Sequence, residues 1–443
     1  MPPNEKAAKL DILLLSSITI LLVLLFWSKG VPWDTAVYVG MGKYLFSFGT
    51  AGFWEAARPP VLPILLGAAW RLGDPVIAGR TIALLSSIGC VIFTYLIGKR
   101  LLGRREGIIA ALLLSTTPVF IQYASVPLTD ILSAFFGLIA LYLFLENQHW
   151  AAGMVLGVSF LTRFYQGIIF GVLAIILFTR KKGCSQVIIG FFALVIPYLI
   201  INLFVYKNLF YPFLLQFELV RSTDPYWAMP WWFYFKELFY QSYISLLLIP
   251  ALFMKKARKS LYLPFILFFV FLIFFSFAAH KEDRFMLLFI PYLSLIIAAV
   301  IGLGMESANA ISPRLTQTLI VFLIILLFLP VLRASPLSYK EPPVIQPAKG
   351  ELWTSNPYYV LASDQKAVLL YYPFVTAERL DKRTSDLANP VTIIINSCDL
   401  ICKDDGLLCR SKVDAFISSV SARNPPTFDE TDGRCRMIVS EKK

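Results

Sequence analysis

Eleven apolar runs of spanning or near-spanning length punctuate this chain of 443 residues, at 11–27, 77–98, 107–123, 129–146, 150–162, 164–179, 187–205, 237–254, 261–279, 285–304 and 316–333. A bilayer core offers the backbone no water. A chain that enters it repeatedly must satisfy its own N–H and C=O groups, and a helix does so within each run. About 20 helical residues cross the roughly 30 Å of hydrocarbon. Hydrophobic residues make up 58% of the sequence and charged ones only 15%, with mean hydropathy +0.70, which is more apolar side chain than a soluble domain can hide. The expectation is an α-helical polytopic membrane protein with about 11 transmembrane helices over residues 1–333.

The net charge is +12, but the cations gather in short clusters between apolar runs: Lys99-Arg100 with Arg104-Arg105, Arg180-Lys181-Lys182, and Lys255-Lys256 with Arg258-Lys259. That is the pattern of cytoplasmic loops and not of a nucleic-acid surface. With a cytoplasmic N-terminus and one crossing per run, all three clusters fall inside. The stretch 150–179 is short for two crossings, so a hairpin of two short helices turning near Thr162-Arg163 is expected there. The first run is too long for a cleavable signal, and no small-residue cleavage site is evident. The outer face then receives 28–76, 122–128, 206–236, 280–284 and everything after about 334. The inner face receives only basic connectors, so chemistry is expected outside: on the cell membrane of a prokaryote, or in the endoplasmic reticulum of a eukaryote.

After Pro330 the chain turns polar and is punctuated by Pro336, Pro342, Pro343 and Pro347. β-like runs at 352–354, 367–372, 391–396 and 435–440, with a helical segment at 413–420, predict a small extracytoplasmic α/β domain over 334–443. Cys398, Cys402, Cys409 and Cys435 lie in it and are disulfide candidates, with three possible connectivities. Zinc is the alternative, but this region has no His and no paired CxxC. Cys90 and Cys184 read as apolar fillers.

The candidate chemistry lies on the outer side. Asp34, in Val31-Pro32-Trp33-Asp34, is a carboxylate at the lipid–water boundary, suited to be a general base with a raised pKa; it also reads as a helix N-cap. Asp130, after Pro127-Leu128-Thr129, is an acid at the outer end of a run, where acids tend to be functional, and capping is again the plainer account. Arg58-Pro59-Pro60 presents a cation on stiff backbone, fit for a phosphate or a lipid headgroup. Glu55 could pair with Arg58 or ligate a metal. In His280-Lys281-Glu282-Asp283-Arg284-Phe285, Lys281 and Arg284 suit phosphate; a tight solvated turn is the alternative. The aromatics of 206–236, including Tyr226, Trp227, Trp231 and Trp232, suit interface anchoring, with sugar stacking as the second account. There is no GxxxxGK[ST], no GxGxxG after a strand and no HExxH, so a donor already attached to lipid fits better than a nucleotide sugar.

At these residues the chain resembles the GT-C superfamily of membrane glycosyltransferases, in particular the dolichyl-phosphate-mannose protein mannosyltransferase and aminoarabinose-transferase-like group. The carrying residues are Asp34-x-x-x-Tyr38, Arg58-Pro59-Pro60-Val61, Gly73, Arg80, Tyr95-x-x-Gly98-Lys99-Arg100, Thr129-Asp130, Gly153-x-x-x-Gly157 and Leu161-Thr162-Arg163, within about the first 200 residues. His280-Lys281-Glu282-Asp283-Arg284-Phe285 is similar to the His-Lys-Glu-x-Arg-Phe motif of a sister branch, the lipid-linked-oligosaccharide and glycolipid-anchor mannosyltransferases. The resemblance implies the GT-C fold and an inverting transfer from a polyprenyl- or dolichyl-phosphate sugar to a glycan, lipid or protein. It implies Asp34 as base, Asp130 as a second acid and Arg58 as phosphate partner; Tyr38, Glu55, His280, Lys281 and Arg284 complete the expected substrate- and phosphate-binding set. A divalent metal ion on Glu55 or His280 is one candidate cofactor. Two departures stand out: Thr35 follows Asp34 where the motif is strongest as Asp-Glu, and 334–443 does not resemble a β-trefoil MIR domain. The competing accounts are a transporter or lipid flippase, which should carry charges deep within spans and repeated halves, and a non-catalytic GT-C scaffold subunit.

Overall fold

The structure, a computed structural model, describes residues 3–180, 183–221, 228–254, 259–343, 345, 350–370, 391–400, 407–432 and 435–442. Lys181, Lys182, Lys255, Lys256, Arg258, Tyr226, Trp227 and Cys402 lie outside the described residues. The chain divides into two compact units: Met1–Lys29, Arg80–Phe213 and Met229–Ser338 form one, and Gly30–Gly79, Leu214–Ala228 and Tyr339–Lys443 the other.

In chain order the helices are α1 (Pro3–Leu25), α2 (Trp33–Phe46), α3 (Val61–Leu72), α4 (Pro75–Leu101), α5 (Arg104–Ser115), α6 (Pro118–Tyr123), α7 (Thr129–Leu145), α8 (His149–Thr162), α9 (Gly167–Arg180) and α10 (Cys184–Tyr206). They continue with α11 (Tyr211–Arg221), α12 (Phe233–Gln241), α13 (Leu248–Phe253), α14 (Tyr262–Phe277), α15 (Ile290–Ile311) and α16 (Pro313–Phe328). All eleven apolar runs fall on helix. Among the described residues five stretches are long and apolar enough to cross a membrane: Lys6–Leu25, Pro75–Leu101, Cys184–Tyr206, Ile290–Ile311 and Thr316–Arg333. The other runs are shorter or broken, and the breaks have causes. Run 107–123 stops at Ser115, where Pro118 approaches without an N–H, and the hydroxyls of Thr116 and Thr117 donate back to the carbonyls of Leu112 (2.8 Å) and Leu113 (2.7 Å). Run 237–254 splits into α12, a 3-10 turn at Tyr243–Leu247 and α13. The hairpin expected within 150–179 turns at Arg163, whose extended backbone (φ −154°) leads into a 3-10 turn, Phe164–Gln166, between α8 and α9.

Close packing in the first unit uses small residues, as membrane helices do when no water drives them together. A Cβ at Gly153 on α8 would collide with the Val187 carbonyl of α10, and one at Gly190 with that of Trp150. Asp11, inside α1, is held by a bidentate Arg104 guanidinium (2.7 and 2.8 Å) and the Tyr95 hydroxyl (2.8 Å), as an acid within a span requires.

The second unit corrects one expectation: 28–76 is no plain loop, because it folds into α2 and α3, which approach through Gly42 and Gly67. Likewise 206–236 contains α11 and the start of α12. The C-terminal part is a five-stranded sheet of β1 (Glu351–Thr354), β2 (Ala367–Leu369), β3 (Val391–Asn396), β4 (Pro426–Asp432) and β5 (Cys435–Lys442), in the order β2-β1-β3-β5-β4. The first three strands are parallel, and β5 and β4 run antiparallel to their neighbours. Helix α17 (Leu407–Arg423) covers the sheet, burying Val413, Phe416, Ile417 and Val420 against Trp353, Ile393, Ile395 and Ile438. Of the cysteine candidates, Cys398 and Cys435 form a disulfide (Cα–Cα 5.3 Å) tying the end of β3 to the start of β5. Cys409 lies on α17, its side chain outside what is described. Cys90 is buried and free, as an apolar filler should be, and Cys184 is half-buried and free.

Beside that disulfide, burial pushes the Asp399 carboxyl up to about 6, although Ser355 donates to it at 3.2 Å. The folded state therefore holds this proton more tightly than the unfolded chain, whose carboxyl sits near 3.8. Domain stability should rise as pH falls from about 6 to about 4, by about 3 kcal/mol for this group. Asp399→Asn should remove that pH dependence and slow amide exchange in β3 at pH 7.5. Unchanged protection factors in β3 between pH 7 and 4.5 in the unmodified chain would contradict it.

Candidate active site

α2 begins after Pro32, and Asp34 sits in its first turn, where the amide dipoles favour negative charge. Pro32, not Asp34, is the N-cap. Tyr38 follows one turn later on the same face. Opposite them runs the segment 51–58, which approaches α2 because two positions lack side chains. The Phe53 N–H donates to the Gly40 carbonyl (3.2 Å), a Cβ at Gly40 would strike the Phe53 ring, and one at Gly52 (φ +67°) would strike the Gly40 carbonyl. A turn closed by Arg58 N–H to the Glu55 carbonyl (3.2 Å) then faces both side chains inward.

The result is a guanidinium with three occupied edges. Arg58 Nη2 donates to Asp34 Oδ1 at 2.8 Å, Nε to Glu55 Oε1 at 2.8 Å, and Nη1 to the Tyr38 hydroxyl at 3.3 Å. Its Cζ also lies 5.1 Å from the centroid of the Tyr38 ring. Glu55 is buried, and the side chains of Arg58 and Asp34 keep 21% and 19% exposure, enough for a substrate to reach them. Four candidates separated by up to 24 residues thus converge within the second unit.

The other candidates meet within the first unit. Asp130, in the first turn of α7 behind the N-cap Leu128, is buried against Arg163 (3.1 Å). Arg163 also donates to Thr129 Oγ1 (2.9 Å), and its Cζ lies 4.9 Å from the ring centroid of Phe285 and 5.5 Å from that of Tyr165. That contact joins Asp130 to the 280–285 motif. There Glu282 Oε1 is shared by His280 Nε2 (2.7 Å) and Arg284 Nη2 (2.6 Å). Asp283 accepts from the Tyr123 hydroxyl (3.0 Å), while burial raises its carboxyl above the usual range. Lys281 is buried with its ammonium on the Ala278 carbonyl, and desolvation draws its pKa down. These are ordered polar contacts and not a solvated turn.

Sequence reasoning named Arg163 within a motif and at the expected hairpin turn, and gave it no chemical role. Its signal was available: an ionisable residue in the middle of the apolar stretch 150–179 needs a partner. Lys43 was overlooked altogether. Among the described residues no three of His, Cys, Asp and Glu cluster as metal ligands do, and the two metal candidates are engaged, Glu55 with Arg58 and His280 with Glu282.

Removing Asp130 would leave the Arg163 guanidinium buried. Asp130→Ala should cost about 3 kcal/mol or more, and adding Arg163→Met should recover part of it, because replacing both charges is far less damaging than stranding one. Thermal unfolding of the three variants in detergent checks this. Equal midpoints for Asp130→Ala and the unmodified chain would refute it.

Residues 58–349 match a family described as Alg9-like mannosyltransferases. The fold is similar to that of ArnT from Cupriavidus metallidurans, solved bound to undecaprenyl phosphate, with TM-score 0.64, 12% identity and 97% of each chain covered. The apo form of the same protein gives TM-score 0.65 at 12% identity, with 98% of each chain covered. The Archaeoglobus fulgidus oligosaccharyltransferase AglB, solved with an inhibitory peptide and a dolichol-phosphate, gives TM-score 0.57 and 13% identity over 90% of this chain and 70% of that one. Among curated protein sequences none matches. The GT-C fold expected from the outer-face motifs is the fold observed.

Proposed function

We propose, for a chain that belongs to the Alg9-like mannosyltransferase family, an inverting transfer of a sugar, mannose foremost, from a polyprenyl- or dolichyl-phosphate to an acceptor hydroxyl. Asp34 accepts the hydroxyl proton. The acceptor oxygen attacks the anomeric carbon from the side opposite the phosphate, the bond from that carbon to the phosphate oxygen breaks, and its electron pair leaves on the lipid phosphate. Arg58 holds Asp34 and Tyr38 in register and sets positive charge beside the place where the leaving phosphate gains negative charge.

The observation that carries this reading is the Arg58 fork, which gathers Asp34, Glu55 and Tyr38 into one partly open site. The Asp34 carboxylate, held at 2.8 Å by the guanidinium and partly open to solvent, is the acidic residue placed to take the hydroxyl proton. The lipid carrier is supported by the fold shared with ArnT and AglB, solved with undecaprenyl phosphate and dolichol-phosphate. Asp130, set by Arg163, is the second acid of this reading, and Lys281 and Arg284 are its further candidate phosphate contacts. The site faces the extracytoplasmic side in this reading, because the basic connectors then lie inside. The acceptor is a glycan, a glycolipid or a protein.

Asp34→Asn, which keeps shape and loses basicity, should lower kcat about 10²- to 10⁴-fold while the protein inserts and unfolds as the unmodified chain does. The assay follows labelled sugar from polyprenyl-phosphate mannose, or glucose, to crude acceptor lipids and proteins. If no sugar leaves any lipid carrier, or if Asp34→Asn transfers normally, the assignment fails.

A further inference from the structure

Lys43 is an unusual residue to find buried in the last turn of α2. Its side chain is 3% exposed, yet it ends in a charge. The ammonium meets four oxygens: the carbonyls of Val360 (2.9 Å), Leu361 (3.1 Å) and Ser363 (3.0 Å), and Asp364 Oδ1 (2.9 Å). An ammonium has three protons, so this cage is fully used. Desolvation pulls the Lys43 pKa down, and the Asp364 carboxylate opposes that pull. Asp364, whose side chain stays 69% exposed, is fixed a second time by the Trp70 indole N–H (3.2 Å).

The cage is built from the segment joining β1 to β2, and the same segment grips the other arm of the site. Gly52 N–H donates to the Gln365 carbonyl and the Ala367 N–H donates to the Gly52 carbonyl, both at 2.8 Å, adding 51–53 to the edge of β2. One stretch, 360–367, therefore holds α2, which carries Asp34 and Tyr38, and the loop that carries Glu55 and Arg58. A buried charge is an expensive way to join two elements that apolar side chains would join more cheaply, but it fixes one geometry where apolar packing tolerates several.

We propose that Lys43 is a positioning residue for the transfer reaction: its caged ammonium locks α2 to the C-terminal segment 360–364 and so sets the Asp34 carboxylate against Arg58. The reaction itself rests on the reading given under Proposed function. Nine residues, about 13 Å of helix, separate Lys43 from Asp34, so Lys43 touches no reacting atom and acts through the helix. A cleft of about 550 Å³, lined by Lys43, Trp70, Asp74, Tyr358, Tyr359 and Asp364, leads to the cage from outside. A small organic cation can thus reach the place of the ammonium once the side chain is removed.

That access supplies the test. In full-length protein, Lys43→Ala should lower kcat about 100-fold, with donor KM changed by less than about threefold, the scale of loss expected when a reacting group is misplaced by about 1 Å. Methylammonium should recover about tenfold of that loss in Lys43→Ala. It should do nothing for Asp34→Asn, whose base is gone, or for Lys43→Met, whose stem fills the space. Amide exchange over α2 should rise in Lys43→Ala and fall back with methylammonium, a readout that does not depend on turnover. If Lys43→Ala keeps its kcat, or if its α2 exchanges as in the unmodified chain, the proposal is wrong. It is equally wrong if the loss matches the unfolded fraction and no amine restores it. Should the unmodified chain transfer no sugar at all, the reaction reading fails, and the exchange measurement still decides whether Lys43 locks α2.

Discussion

A cation withdrawn from water has to find acceptors, and in this chain that requirement organises both units. Arg58, Arg163 and Lys43 are each largely buried, and each meets oxygens from another part of the sequence, Asp34, Asp130 and 360–364 respectively. Stranding such a charge costs several kcal/mol, whereas the net gain from forming the pair is small. The contacts therefore act less as a reservoir of stability than as geometric pins. Where an apolar interface would accept sliding, a guanidinium fork or a caged ammonium has one satisfactory arrangement.

Glycine makes those pins possible in the second unit. A guanidinium reaches α2 from segment 51–58 only because that backbone lies against the helix, and Gly40 and Gly52 are where the two come closest. The same segment continues the sheet edge at Gly52, so helix, loop and sheet meet at one short stretch. In the first unit, by contrast, the polar groups are threaded between apolar faces. Arg163 sits against the rings of Tyr165 and Phe285 while it holds Asp130 and Thr129, an arrangement that lets a charge stay in a water-poor place. A transporter should place such groups in two matching halves around broken helices. Here, among the described residues, they belong to the Asp130–Arg163 and Asp11–Arg104 pairs and to the six-residue motif at 280–285.

Legibility in the sequence followed the range of the interaction. The apolar runs became helices because helical hydrogen bonds are local, and the turn at Arg163 was readable because the run is too short for two full crossings. Helices α2 and α3 were harder: they are short, and 28–76 mixes Gly, Pro and aromatics in the manner of a loop. Strand β4 was missed because Pro426–Asp432 is acidic and exposed, without apolar alternation. It exists as an edge through its pairing with β5. Capping was the plain account of Asp34 and Asp130, yet both caps fall two residues earlier and both carboxylates face arginines.

Taken alone, the sequence determined the solvent, the helical class, the polar C-terminal region and the types of residue available for chemistry, since each depends on composition or on neighbours a few positions apart. Tertiary structure decided which cysteine joins Cys435, which arginine serves which acid, and that Lys43 closes a cage made by residues more than 300 positions away. Those pairings depend on where distant backbones come within about 3 Å of one another, the range of a hydrogen bond. No local pattern encodes that distance, because it is set only when the helices and the sheet have packed.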